Sequence, residues 1–438
     1  MAQHNPAVNT DNRNYLQLAA NNIILHLHPS RVAAPALRFT YTWGLGGTAA
    51  TLVLMLITTG ILLMFRYEPT VGQAYTSIKA LETEVMFGAL VRAIHHWSAN
   101  LLLIVTCLHL ARVFLTGGFK QGRTSTWVAG MGLLLLVVAF NFTGYLLPWD
   151  QLAYWAITVS TSLINYLPLV GPVISRFILA GPEVGQAALS NFYAFHVAVL
   201  PILLLVMMAY HFWKIRKNGG LTQPPATDEQ AASRLSTIPH LIQREFAAAT
   251  VVITGVTIWA MLVPAPLEAL ANPTQSPNPA KAAWYFLGLQ ELLLHMHALA
   301  AIGLVGIMLL GFIWLPRLDP QTENIGLYFR SRKGRWAALL GAFLAVDIVP
   351  LLVIADEYWL DLPAMVPHWP VLISTGLLPL ILTLLGLLII YDLLRLLLKA
   401  DHSEGLVGLF SFIAVSLVVL TIIGILFRGP NMALVLPF

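Results

Sequence analysis

Residues 92–112 read RAIHHWSANLLLIVTCLHLAR, an apolar run framed by arginines that holds three histidines and the chain's one cysteine. A second run, FHVAVLPILLLVMMAYHFW at 195–213, holds His196 and His211. A helix needs about 20 mostly apolar residues to cross a bilayer, so both runs read as membrane spans. Ionisable side chains inside spans are costly and mark function. A lone histidine in a span has a plainer explanation, a hydrogen bond to a neighbouring helix. Four at matched spacing do not. His95 and His109 are 14 residues apart, roughly 40° short of four turns and about 21 Å along the axis. His196 and His211 are 15 apart, roughly 60° past four turns and about 22 Å along the axis. His96 falls about 220° from His109 and drops out of the set. One span separates the two runs, so their helices point the same way. His95 then lies level with His196, and His109 with His211. Two such pairs stacked across the bilayer suit bis-imidazole haem, which leaves no open axial position and serves electron transfer.

Glycines repeat the spacing. Gly46 and Gly60 are 14 apart, as are Gly130 and Gly144. Small residues commonly pack membrane helices; the spacing shared with the histidines assigns these four instead to the space a flat macrocycle needs.

The whole chain agrees. Of 438 residues, 58% are hydrophobic and 10% charged, against about one quarter charged in soluble domains. Mean hydropathy is +0.76. These values exclude a soluble enzyme, a disordered chain and a nucleic-acid-binding protein. The single cysteine, Cys107, excludes an internal disulfide and a Cys-ligated cluster. Uncharged runs at 39–65, 93–111, 124–149, 184–213, 246–267, 292–316, 336–355 (interrupted only by Asp347), 362–391 and 405–427 give about nine spans. A further run at 151–175 carries Gln151, Asn165, Pro168 and Gly171-Pro172. These break a lipid-facing helix, and the run reads as two short helices on the membrane surface. With nine spans, only Arg66, Lys79, Arg92, Arg176, Lys281 and Arg428 of the 24 basic residues fall on one side. The positive-inside rule then puts the N-terminus in the cytoplasm. No cleavable signal is read before the first span. The predicted fold is an all-α polytopic membrane protein: a four-helix di-haem bundle plus a C-terminal helical module. The polar stretch 218–245 is read as a cytoplasmic linker between an N-terminal di-haem module, 1–217, and a C-terminal helical module, 246–438, to which the resemblance described next assigns the quinol site.

These residues resemble the cytochrome b subunit of quinol–cytochrome c oxidoreductases, the bc-type complexes and their photosynthetic relatives. The likeness covers about residues 35–360. It rests on Arg92-Ala93-Ile94-His95 with His109, Leu115-Thr116-Gly117-Gly118-Phe119-Lys120, Gly144-Tyr145-Leu146-Leu147-Pro148-Trp149-Asp150-Gln151, and His196 with His211. The 15-residue spacing is that of the photosynthetic branch, which splits into a four-span and a three-span polypeptide. Here the two look fused, with two spans added that have no reading beyond a lipid-facing or partner-facing role.

The resemblance implies two non-covalent b-type haems, an outer one on His95 and His196 and an inner one on His109 and His211. Arg92 and Arg112 are placed to pair with haem propionates, and Arg216 matches a position near an inner quinone site. It implies quinol (menaquinol or ubiquinol) docking near Asp150, Tyr145–Thr158 and the Trp284-Tyr285 loop. One electron would go to a separate Rieske iron–sulfur protein, the other through both haems to a cytoplasmic-side quinone, with proton translocation. A c-type cytochrome subunit, lipid and a homodimeric complex follow, in a bacterial or archaeal cytoplasmic membrane. Three departures stand out. Gly44 occupies the position where photosynthetic relatives have a haem-binding cysteine, so no covalent haem is expected. The family's Pro-Glu-Trp-Tyr motif is Ala282-Ala283-Trp284-Tyr285, without its glutamate, and Glu291 is the chosen replacement as proton acceptor. An acidic residue near the inner quinone site is replaced around Asn21-Asn22. Ala156 stands where strobilurin-sensitive members have glycine, implying insensitivity. The competing class is a di-haem membrane anchor of a dehydrogenase or hydrogenase, which lacks the Pro148-Trp149-Asp150 and Trp284-Tyr285 loops. A haem-free transporter is a third.

Overall fold

In lipid every backbone polar group must be satisfied within the chain, which leaves helices as the economical way for long apolar runs to cross. The computed structural model describes residues 27–224 and 233–436; Asn21 and Asn22 lie outside them. In chain order the main helices are α1 (Leu45–Met64), α2 (Ala74–Glu84), α3 (Gly88–Leu115), α4 (Thr124–Leu146), α5 (Gln151–Ile164), α6 (Gly171–Leu179) and α7 (Gln186–Lys217). They continue as α8 (Thr237–Leu262), α9 (Leu287–His295), α10 (Ala298–Leu318), α11 (Arg332–Tyr358), α12 (Leu372–Leu398) and α13 (His402–Leu426). All but α2, α5, α6 and α9 are long and apolar enough to span, nine helices among the described residues. The chain is thus an all-α multi-pass membrane protein. The stretch 151–175 forms α5 and the start of α6, both short. The Asp150 carboxylate starts α5 by accepting the Ala153 N–H at 2.9 Å.

Helix α1 packs on α3, α4 packs on α7, and α8 lies against α1 and α3. Halfway between the two histidine levels every helix of the bundle contributes buried apolar side chains, among them Leu52, Leu102, Val137 and Leu204. Apolar transfer gives no net gain between helices in lipid, so close van der Waals packing holds this layer.

Helix α7 is not a regular helix. Residues Phe195–Val199 form a π-turn, and the Leu200 N–H bonds to Phe195. Pro201 explains it: it has no N–H to donate and crowds the carbonyl four residues back, and a widened turn relieves both. The wide turn absorbs roughly one extra residue. The 15-residue interval from His196 to His211 therefore turns through about the same angle as the 14-residue interval in α3. A second π-turn, Leu372–Leu377, precedes Pro379 in α12 for the same reason.

The last two spans differ from each other. Helix α13 is packed into the molecule, against α11 where Gly341 meets Gly408 and against α9 where Gly288 and Gly424 allow contact. A side chain at Gly341 would collide with the Gly408 carbonyl oxygen. Helix α12 leaves Leu385, Leu388, Ile389 and Leu396 exposed.

On the side of the Lys120 loop, strand β1 (Arg31–Ala33) pairs antiparallel with β2 (Arg234–Ser236), with Val32 opposite Leu235. This ladder ties the segment before α1 to the start of α8. Nearby, Lys120 Nζ lies 2.8 Å from Asp319. Arg330 donates to the Phe114 and Leu115 carbonyls at 2.9 and 2.8 Å, capping α3 from the far half of the chain. Gly117, at φ +67°, leaves the space in which that guanidinium stands.

Candidate functional site

The outer pair is built by four helices. His95 on α3 and His196 on α7 face each other with ring centroids 6.3 Å apart and planes at 68°. Each ring is indexed by a Thr-Gly pair from a neighbouring helix. Thr59 Oγ1 lies 2.9 Å from His95 Nδ1, and Thr143 Oγ1 lies 3.1 Å from His196 Nδ1. Each threonine hydroxyl already has a carbonyl to donate to, Met55 at 2.7 Å and Ala139 at 2.8 Å. A hydroxyl has one proton, so its oxygen is free to accept from the ring. Both imidazoles are thereby held as Nδ1–H tautomers with Nε2 unprotonated. The next ring atom, Cε1, sits over the glycine: a side chain at Gly60 would stand 3.2 Å from it in His95, and one at Gly144 2.7 Å from it in His196. With Nδ1 and Cε1 fixed against α1 and α4, the two Nε2 atoms face the gap. Two metal–imidazole bonds of roughly 2.0–2.1 Å each fit such a separation.

The inner pair repeats the glycines but not the threonines. Gly46 faces His109 Cε1 and Gly130 faces His211 Cε1, at looser 3.6 and 3.5 Å. Leu45 and Ala129 precede them. His109 and His211 are close enough to interact electrostatically. His211 Nδ1 is buried, with the ring against the backbone of Thr126 on α4, and no side-chain hydroxyl reaches it. All four glycines thus leave room for an imidazole edge, where the sequence had assigned the space to a macrocycle.

The outer rings open on one cavity of about 1170 Å³, somewhat above the usual range of about 300–1,000 Å³ for a single ligand site. Tyr145, Asp150, Trp284 and Tyr285 line it with His95 and His196. So do His96, Asn100 and Glu268, none of which the sequence singled out. Trp284 Nε1 donates to Asn100 Oδ1 at 2.5 Å, and Asn100 Nδ2 lies 3.3 Å from His96 Nε2. The Trp284 loop is thereby tethered to α3 one turn past His96. Burial pushes the Tyr285 phenol up, so it stays protonated.

Asp150 is 8% exposed and both its oxygens are used, one by the Ala153 N–H and one by the Glu268 N–H at 3.1 Å. Burial raises its carboxyl above the usual range against those two bonds, which lower it. It is an anchor joining α5 to the loop after α8. Ala156 lies on α5 but not on the cavity wall.

Two expectations need correction. Glu291 does not face the cavity. It is 1% exposed and gripped by Arg428, whose Nη2 and Nε lie 2.6 and 3.0 Å from its Oε1, with His295 at 3.3 Å. Burial alone would raise its carboxyl, but the His295 and Arg428 hydrogen bonds and the Arg428 charge hold it low. A carboxylate held ionised between partners is a poor proton acceptor. Arg92 is likewise committed: its terminal nitrogens go to Glu82 and to the Ala265 and Pro266 carbonyls at 3.1 and 2.6 Å. Arg112 differs. It is 6% exposed, its Nε donates to the Tyr41 carbonyl at 3.2 Å, and its Nη2 is buried without a partner among the described residues. An orphaned cationic nitrogen beside the inner pair fits an anionic group. Arg216 lies in the last turn of α7. Asp347 is on an exposed face of α11.

The chain has counterparts among known proteins. Residues 31–219 match the family model described as Cytochrome b/b6/petB. Cytochrome b6 of Tupiella akineta is 46% identical over 175 residues, covering 40% of this chain and 81% of that one. Cytochrome b6 of Stigeoclonium helveticum is 42% identical over 209 residues, 48% of this chain and 94% of that one. A solved structure titled "Hyperthermophilic respiratory Complex III" aligns over 95% of this chain and 97% of its own at a TM-score of 0.65 and 19% identity. The last likeness is one of fold and extends it through the C-terminal half. At these identities over nearly the full length of the relatives, the chain belongs to the cytochrome b/b6 family.

Proposed function

We propose that the chain is the cytochrome b subunit of a bc-type complex that oxidises quinol and passes electrons across the membrane through two b-type haems. The family implies b-type haem. When bound, haem would supply a one-electron couple, and ligation by two imidazoles would suit electron transfer rather than oxygen binding. The observation that carries the reading is that the outer imidazoles and the Trp284-Tyr285 pair line a single cavity. A quinol there lies within reach of both an electron acceptor and a protonated phenol. His95 and His196 hold the outer haem and His109 and His211 the inner one, non-covalently. Arg112 is the propionate partner at the inner level.

Oxidising a quinol releases two protons, and the cavity wall must take them. Asp150 has both oxygens engaged, and Glu291 is elsewhere. Glu268 remains: it is among the residues lining the cavity and is also exposed, so it can accept a proton and pass it outward. The other electron acceptor is a separate Rieske iron–sulfur protein, with a c-type cytochrome beyond it, in a dimeric complex. The quinol is read as menaquinol or ubiquinol. The excess of basic residues on one side supports a cytoplasmic N-terminus, and the membrane is read as the cytoplasmic membrane of a bacterium or archaeon. Quinol added to the purified complex should reduce both b haems, and a Rieske protein should be among the subunits identified by mass spectrometry. A di-haem spectrum without a Rieske subunit would favour the dehydrogenase or hydrogenase anchor instead. His95→Ala or His109→Ala protein with unaltered haem content would overturn the ligand assignment.

A further inference from the structure

The two histidine levels share glycines and differ in one chemical respect: only the outer imidazoles have hydroxyl partners. Thr59 and Thr143 come from different helices, yet each stands immediately before the glycine that backs its imidazole. Each spends its proton on a carbonyl of its own helix and offers its oxygen to Nδ1–H. An imidazole that donates its Nδ1–H is a more basic ligand through Nε2, because the donated proton leaves more negative charge on the ring. A more basic axial pair favours the ferric over the ferrous state, and hydrogen bonding around the ligands is among the ways a protein sets a metal centre's potential. The inner level lacks this device: Leu45 and Ala129 occupy the corresponding positions, so no hydroxyl precedes either glycine.

We propose that Thr59 and Thr143 are positioning residues that lower the reduction potential of the outer centre relative to the inner one, by fixing and polarising His95 and His196. This rests on the di-haem reading above. It assigns part of the direction of electron flow to two hydroxyls, and makes the outer level the one that readily gives its electron inward.

The test is an optical redox titration of the purified complex, with the outer component identified as the one missing from a His196→Ala protein. Thr59→Val and Thr143→Val remove the hydroxyl at similar size; Thr59→Ser and Thr143→Ser keep it. Each valine variant should move the outer midpoint to a more positive value while the inner midpoint stays. The change should be on the order of tenfold in the electron-exchange equilibrium between the two centres, the low end of what such outer-shell partners carry. The serine variants should titrate like the parent. Loss of the outer component in valine variants, with serine retaining it at the parent midpoint, would also uphold the hydroxyl's role. Valine variants that keep both components at parent midpoints overturn the proposal, and so does an equal shift of both components. Loss of the outer component in valine and serine variants alike would show packing alone and overturn it. A parent complex without any b-type spectrum sinks the di-haem reading itself, an outcome visible before any variant is made.

Discussion

At the scale of single residues, the four glycines are not equivalent. A methyl at Gly144 would stand 2.7 Å from His196 Cε1, closer than real contacts allow, whereas one at Gly46 would meet His109 Cε1 at an ordinary 3.6 Å. Thr143 holds the neighbouring Nδ1 from the same helix, so turning the ring away would break that bond. Gly144→Ala should therefore cost most of the outer haem, and Gly46→Ala should leave haem content near normal. Pyridine haemochrome assays on the two proteins check this. The two glutamates make a second contrast. Glu268→Gln should slow quinol oxidation, by at most the roughly 10²–10⁴-fold typical of lost acid–base groups, and flatten its pH dependence with both haems present. Glu291→Gln should leave the rate of folded protein near normal and lower stability instead, because it removes one of the two carboxylates that Arg428 pairs with and leaves only Glu357. Breaking a buried pair that way costs about 3–5 kcal/mol. Steady-state rates against pH, beside thermal melts, separate the two roles; a slow but fully stable Glu291→Gln protein would reverse them.

At the scale of elements, α9 and the segment after α13 are clamped by charge. Arg428 bonds Glu291 and reaches Glu357 at 2.8 Å, while His295 lies 2.6 Å from Asp356 at the end of α11. Burial disfavours charge on both Glu291 and His295, yet their hydrogen bonds and opposite charges win, holding Glu291 low and His295 high. The signs give a window. Glu291's contribution is present above its unfolded value of 4.5 and is lost as pH falls through its lower folded value. His295's contribution is complete below its unfolded value of 6.5 and is lost as pH rises through its higher folded value. The clamp should thus be tightest between about pH 4.5 and 6.5 and loosen on either side. Hydrogen exchange of α9 amides against pH reads it, and His295→Gln should abolish the alkaline limb only.

At the scale of the whole molecule, the two halves of the chain are joined by side chains as well as by the connection at 218–236. Lys120, Asp319, Arg330 and Ser403 meet in a buried cluster, with Ser403 donating to Asp319 at 3.0 Å and Trp127 Nε1 donating to the Phe312 carbonyl at 2.7 Å. A chain cut between residues 224 and 233 and expressed as two pieces should reassemble and co-purify. Asp319→Asn in the cut protein leaves Lys120 and Arg330 buried without their anion, and a penalty of about 3–5 kcal/mol should prevent co-purification. If the cut pieces carrying the Asp319→Asn change associate as well as the unchanged pieces do, contacts within the bilayer suffice.

Much of this was legible in the sequence because lipid imposes simple rules. Span number follows from run length, since about 20 apolar residues must be continuous to cross. The histidine levels follow from a fixed angle and rise per residue. Even the short surface helices were marked by Pro168 and Gly171-Pro172. What the sequence could not decide depends on contacts between distant residues. Thr59 and Thr143 are ordinary threonines until His95, 36 residues away, and His196, 53 away, are set beside them. Glu291 looked like a free acid at a helix start because its partner, Arg428, is 137 residues on. The 15-residue interval in α7 departs from 14 until the π-turn ahead of Pro201 takes up the difference. Local periodicity is a property of one helix and can be read from one; the state of a polar side chain in a membrane protein depends on which other helix reaches it, and that only packing decides.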